Sequence, residues 1–312
     1  MRLVFLGTPA FAVPTLEAIV AAGHEVAAVL TQPDRPRGRG QHPAASPVKE
    51  TAARLGLTVY QPERVRRPEA VEYLRGLGCE AMVVVGYGQI IPQSVIDLAP
   101  LGIINVHASL LPKYRGAGPI QWAIVRGETH TGVTTMRINA GLDTGDMLLK
   151  AETEIGPDET AVELGQRLSV MGARLLAETL ERLQSGRIVP EPQDDSQATL
   201  APLLKKEDGV IDWSQPVQAI HNRVRGFQPW PGAQTRFRGT PLHVWKTRVA
   251  GQGSADGVPG AVAGVRPTTV RCGDGLLELV EVQLEGRKRI SAGDFANGQR
   301  LKENEVLGEI NK

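Results

Sequence analysis

Asn105 and His107 stand two residues apart at the end of the apolar run "GIINVH" (102–107), and side chains two apart on a strand share a face. An amide at that place can donate to a developing oxyanion. An imidazole with its ordinary pKa of about 6.5 can exchange a proton or donate as imidazolium. Together the two suit acyl transfer. A lone Asn-x-His is more often a strand-end histidine that satisfies a loop carbonyl, so the pair needs a third group to make a site. "TGVTTMRINAGLDTGDMLLK" (131–150) offers Asp143 and Asp146 in a glycine-punctuated loop. A carboxylate brought against His107 would orient the ring and stabilise its charged form. Spacing does not choose between the two, and Asp146 equally suits an ordinary turn. "SLLPKYRGAGPIQWAI" (109–124) follows the histidine at once, and its Leu110, Leu111 and Pro112 can line a flat apolar ligand.

These residues need a scaffold that brings distant loops to one edge. "RLVFLG" (2–7), "EVAAVLTQ" (25–32), "LTVYQ" (57–61), "AMVVVGYG" (81–88) and "GIINVH" are short β-branched runs separated by helical patterns. Continuous apolar strands alternating with helices predict a doubly wound, mainly parallel α/β sheet covered on both faces. In such sheets ligands bind at the carboxyl ends of strands, which is where Asn105 and His107 fall. The first turn, "GTPAFAV", lacks G-x-G-x-x-G, and Pro9 removes a backbone donor, so a nicotinamide oxidoreductase is not supported. "DETAVELGQRLSVMGARLLAETLERLQSG" (158–186) predicts a long closing helix, and "RIVPEPQDDSQATLAP" reads as a linker. From about Gly209 the texture becomes short alternating strands with turn glycines, predicting a small antiparallel barrel or sandwich. The expected organisation is 1–189, a linker over 190–208, and 209–312.

Composition removes other classes. The 312 residues are 41% hydrophobic and 22% charged, and no apolar run reaches the roughly 20 residues that span a bilayer. Gly7, Thr8 and Pro9 interrupt the opening apolar stretch, and Cys79 and Cys272 have no thiol neighbour, which fits a reducing cytoplasm. No cluster has metal-ligand spacing. The net charge of +1 is no polycation, although residues 209–312 carry 14 Lys and Arg against 10 Asp and Glu.

"GTPAFAVPTLEAI", "TQPDRPRGRG", "VVVGYGQIIP", "INVHASLLPKYRGAGPIQWAI", "TGVTTMRINAGLDTGDML", "IDWS" and "FQPWPGA" occur in the order found in methionyl-tRNA formyltransferases, a family this chain resembles over nearly its whole length. The resemblance implies a Rossmann-like formyltransferase domain joined to a C-terminal OB-fold-like β-barrel. It implies transfer of a formyl group from 10-formyltetrahydrofolate, a co-substrate, to the amino group of methionyl initiator tRNA, with no metal and no membrane. By the same resemblance Asn105, His107 and Asp143 match the catalytic trio, leaving Asp146 the lesser candidate. Ser109, Leu110, Leu111 and Pro112 match the folate-binding segment. Arg35, Arg37 and Arg39, in a Pro- and Gly-rich loop that composition alone reads as solvated surface, match the loop that meets the tRNA acceptor end. Lys206 matches a basic spot nearby. Arg223, Arg225, Arg236, Arg238, Lys246 and Arg248 are candidates to extend a phosphate-facing stripe, whereas Trp213, Trp230 and Trp245 are expected in packing. Two other readings remain: a folate-dependent formyltransferase acting on glycinamide ribonucleotide or an amino sugar, and a non-catalytic folate- or RNA-binding module.

Overall fold

The computed structural model describes residues 1–37, 42–252 and 257–308. Its contacts divide the chain into two units. The first comprises Met1–Gly116, His130–Thr153 and Gly165–Ala201, the second Ala117–Thr129, Glu154–Leu164 and Pro202–Lys312.

The first unit is built on β1 (Arg2–Gly7), β2 (Glu25–Leu30), the small hairpin β3 (Arg35–Arg37) and β4 (His42–Ala44), β5 (Val59–Tyr60), β6 (Ala81–Val85), β7 (Ile103–His107), β8 (His130–Arg137) and β9 (Met147–Glu154). Seven of these form one sheet in the order β5-β2-β1-β6-β7-β8-β9. Pairing is parallel from β5 to β7 and turns antiparallel between β7 and β8. β6 and β7 are buried at every residue, as strands covered on both faces must be. The helices are α1 (Val13–Ala21), α2 (Pro47–Arg54), α3 (Pro68–Gly76), α4 (Gln93–Ile96), then α5 (Pro119–Val125) of the second unit, and α6 (Ala161–Gln184). Local chemistry fixes their starts. Ser46, for instance, caps α2 by accepting from the Lys49 N–H, with Pro47 at the first helical position.

α6 decides which face of β7 is free. A Cβ on its Gly172 would lie 2.7 Å from the Val106 side chain, and Thr179 on the same helix hydrogen-bonds Thr135 at 2.8 Å. Val106 therefore faces α6. Asn105 and His107, one residue to either side, face the opposite way, together with their β8 partners Met136 and Thr134.

The second unit carries β10 (Ala233–Phe237), β11 (Thr240–Gln252), β12 (Val262–Val265), β13 (Thr268–Cys272), β14 (Gly275–Leu284) and β15 (Ile290–Ser291) in one antiparallel sheet, ordered β10-β11-β14-β13-β12 with β15 on β14. Two helices that the sequence reading does not predict belong to it: α7 (Val217–Gly226) and α8 (Ala292–Gln299). α7 hides its signal because polar His221, Asn222 and Arg225 are buried beside apolar Val217, Ile220 and Val224. Trp213 lies in this core, while Trp230 is 52% exposed, contrary to the expectation that it packs inside.

Candidate functional site

The site grows from the carboxyl end of β7. His107 is almost wholly buried, and its Nε2 lies 2.9 Å from the Tyr114 carbonyl, an acceptor only, so Nε2–H donates there. Its Nδ1 is 3.8 Å from Oδ2 of Asp143. That separation is an ion-pair distance rather than a hydrogen bond, and it leaves Nδ1 as the ring nitrogen available to a ligand. The Asn105 amide makes no hydrogen bond among the described residues, so its donors are unspent.

The loop after His107 is folded over the same face by Thr134. Its hydroxyl donates to the Ser109 carbonyl at 2.7 Å and accepts from the Leu111 N–H at 3.1 Å. Ser109 in turn donates to the Lys113 carbonyl at 2.6 Å. Leu111 is buried against Met136 and Met147, whereas Leu110 and Pro112 keep partial exposure. Thr134 is a residue the sequence reading misses, and its only signal is the two-residue alternation that puts it on the His107 face.

Asp143 rather than Asp146 approaches the histidine. Its Oδ2 accepts from the Gly116 N–H at 2.9 Å, and its side chain is one-fifth exposed. Asp146 contributes its carbonyl, which accepts from the Arg137 N–H at 2.9 Å in the β8–β9 turn. Asn105 and His107 on β7 and Asp143, 36 positions further on in the β8–β9 loop, therefore meet at one strand end.

A second feature lies at the carboxyl ends of β2 and β6, on either side of β1. Thr8 and Gln32 both donate to the Tyr87 carbonyl, at 3.0 and 3.1 Å, tying the three strand ends together. A cavity of about 430 Å³ opens there, lined by Gln32, Arg35, Glu63, Arg64, Arg66 and Ile90 among others. Arg64 and Arg66 are missed by the sequence reading, although "RVRR" (64–67) is a visible basic run. A larger groove of about 610 Å³ along α6 and β9, lined by Arg167, Val170, Arg174 and Glu178, contains none of the predicted site residues.

Of the basic residues, Arg35 is exposed and 3.4 Å from Glu63, and Lys206 is exposed at the start of a short 3₁₀ turn. Arg37 contributes backbone to β3, and Arg39 lies outside the described residues. Of the stripe expected across the second unit, burial removes Arg225, while Arg236, Arg238, Lys246 and Arg248 are exposed. Arg225 is buried and donates to the carbonyls of Gly156 and Glu159 at 3.0 and 2.9 Å. Arg236 donates to the Gly239 carbonyl, while Arg238 sits in the turn at φ +47° and reaches Glu305, so the two do not share a strand face. Arg248 pairs with Glu278 at 3.1 Å. The buried thiols are inert candidates: burial raises the pKa of Cys79 and pushes Cys272 up to about 12. Among the described residues no group of His, Cys, Asp and Glu could hold a metal ion.

Comparison with known proteins gives the family and the fold. Residues 1–180 match the family described as formyl transferase, and residues 203–300 match the formyl transferase C-terminal domain. The chain is 78% identical over 311 residues to the methionyl-tRNA formyltransferase of Solibacter usitatus, covering 99% of both chains. It is 51% identical over 311 residues to that of Citrifermentans bemidjiense, covering 99% of this chain and 97% of the relative. In fold it is similar to HypX from Aquifex aeolicus solved with tetrahydrofolic acid, at a TM-score of 0.65 and 17% identity over 97% of this chain and 48% of the other. It is also similar to an N-formyltransferase from Helicobacter canadensis solved with folinic acid and dTDP-3-aminofucose, at a TM-score of 0.64 and 18% identity over 89% of this chain and 99% of the other.

Proposed function

The chain belongs to the methionyl-tRNA formyltransferase family, an enzyme family that moves a formyl group from a formyl-tetrahydrofolate to methionyl-tRNA, and from that membership we propose which residues of this chain carry the reaction. The donor is 10-formyltetrahydrofolate, a co-substrate, and the acceptor is the free amino group of methionyl initiator tRNA. Ser109, Leu110, Leu111 and Pro112 line the folate, held over the β7 face by Thr134.

The amine lone pair attacks the formyl carbon, forming the new N–C bond and an oxyanion. The Asn105 amide donates to that oxygen, and His107, through Nδ1, supplies a second donor with positive charge. Asp143 balances that charge, while the Nε2–H bond to the Tyr114 carbonyl holds the ring against rotation. Collapse of the adduct breaks the bond from the formyl carbon to N10 of the folate. N10 takes a proton as it leaves, and the amine loses one. The single observation that carries this reading is the unspent Asn105 amide beside an Nδ1 that faces a carboxylate across 3.8 Å, at the carboxyl end of a parallel strand.

The acceptor arm is met by Arg35, Arg37 and Arg39, and by Lys206 within the 190–208 segment. Binding of this kind weakens as salt rises. The test is formylation of methionyl initiator tRNA, methionyl elongator tRNA, glycinamide ribonucleotide and an amino-sugar nucleotide with the same donor. Turnover confined to the initiator species supports the reading, and faster turnover of either small amine replaces it.

A further inference from the structure

Asp143 does not hold its place by itself. Its backbone is left-handed, at φ +51°, a conformation uncommon for residues with a Cβ though less so for aspartate, and two contacts hold it there. The Gly116 N–H holds the carboxylate, and Gln193 holds the peptide. Nε2 of Gln193 donates to the carbonyls of Asp143 and Gly145, each at 2.8 Å, so both amide hydrogens are spent on the loop that carries the carboxylate.

The direction of that amide is itself fixed. Oε1 of Gln193 accepts from Nε of Arg115 at 2.9 Å. A guanidinium only donates, so the amide oxygen must face Arg115 and the NH₂ must face the loop. Arg115 is buried, with Nη2 on Asp195 at 2.7 Å, its N–H on the Thr199 carbonyl at 2.8 Å and its carbonyl accepting from Ala201 at 2.7 Å. The next residue is Gly116, at φ +117°, where a Cβ would stand 2.6 Å from the Ala201 carbonyl oxygen. Both clamps on Asp143 therefore descend from one strip: the loop after β7 laid against residues 193–201.

We propose that Gln193 is a positioning residue for the reaction, setting Asp143 opposite Nδ1 of His107, and that Arg115 acts through Gln193 by fixing its amide. The inference rests on the assignment of Asp143 above. It gives the 190–208 segment a part in the chemistry, since its side chains set a carboxylate that the residues around Asp143 leave unsupported.

The experiment is steady-state kinetics across pH for Gln193→Leu, Gln193→Glu, Asp143→Asn and the Gln193→Leu/Asp143→Asn double variant, each checked for folding by thermal melt. Leu removes every polar contact. Glu keeps an acceptor for Arg115 but has no N–H for the two carbonyls. Both are expected to lower kcat roughly ten- to a hundredfold, the scale on which small misplacements of a reacting group act, while KM for folate and tRNA stays within about twofold. The basic limb of the kcat profile, where the required imidazolium loses its proton, moves to lower pH in both because the carboxylate facing the imidazole has moved, and a purely structural part would leave that limb in place. In the Asp143→Asn background Gln193→Leu costs nothing further. Wild-type kcat and pH profile in folded Gln193→Glu, or an equal loss from Gln193→Leu with and without Asp143, overturns the inference. Undiminished turnover in Asp143→Asn overturns its premise first, and so is distinguishable from both.

Discussion

Among the described residues two buried histidines each face an aspartate, one in each unit, and their surroundings differ. His107 sits at a strand end with Nδ1 at 3.8 Å from Asp143, whose carboxylate and peptide are clamped by Gly116 and Gln193. His221 sits in α7 with Nε2 at 3.2 Å from Asp158 and Nδ1 on the Thr247 hydroxyl at 3.0 Å. The tighter pair is the one to which the proposed reaction gives no part. Asp158 is 81% exposed, with His221 its ion-pair partner, while both nitrogens of His221 are consumed by protein. With Arg225, that histidine fastens α7 to the 156–159 turn. The lesson is that a His–Asp distance does not mark chemistry. What marks it is a carboxylate held in place, a ring nitrogen left free, and an unspent donor such as Asn105 beside them.

The largest expected effect would break the comparison outright if it failed. Asp143→Asn should lower kcat by roughly 10³- to 10⁴-fold with little change in folate affinity, while Asp158→Asn leaves kcat unchanged. Equal losses in the two, measured as formyl transfer to methionyl-tRNA, would erase the distinction. Next in size, Asn105→Ala should cost roughly 10²- to 10³-fold in kcat, as removal of one oxyanion donor does. Arg225→Met tests the other side. It strands the carbonyls of Gly156 and Glu159 and should cost about 1–3 kcal/mol of stability, read as a lower urea midpoint, with kcat intact where the protein is folded.

The smallest effect is a pH dependence. Burial is the main cause that holds the His221 pKa below its ordinary value, with the charge of Arg225 adding to it, while the Pro157 carbonyl and Asp158 pull upward. The unfolded chain therefore binds a proton that the folded one refuses once pH falls below about 6.5. The contribution to stability is whole above that pH and is lost as pH falls toward the folded value. His221→Gln should flatten the fall of melting temperature with acid, and an unchanged slope would remove His221 as its source.

Much of the first unit was legible because its signals are periodic. Fully apolar β-branched runs separated by helices have one economical solution, the parallel sheet, and a two-residue spacing places Asn105 and His107 on one face whatever surrounds them. The second unit was legible as strands but not as helices, since α7 buries His221, Asn222 and Arg225 and so blurs its apolar stripe. Trp230, flanked by prolines, gives no period from which its exposure could be read.

Local order along the chain determined the strands, the facing of Asn105 and His107, and the loop that follows them, because dihedral preference and side-chain periodicity act between near neighbours. Spacing left Asp143 and Asp146 level and only the family resemblance favoured the first; the tertiary structure brought Asp143 to the histidine, left one histidine nitrogen unspent, and set Gln193 and Arg115, 78 residues apart, behind the carboxylate. Those outcomes depend on which distant donors meet which acceptors once the sheet has closed, and such pairings leave no mark on the spacing of residues along the chain.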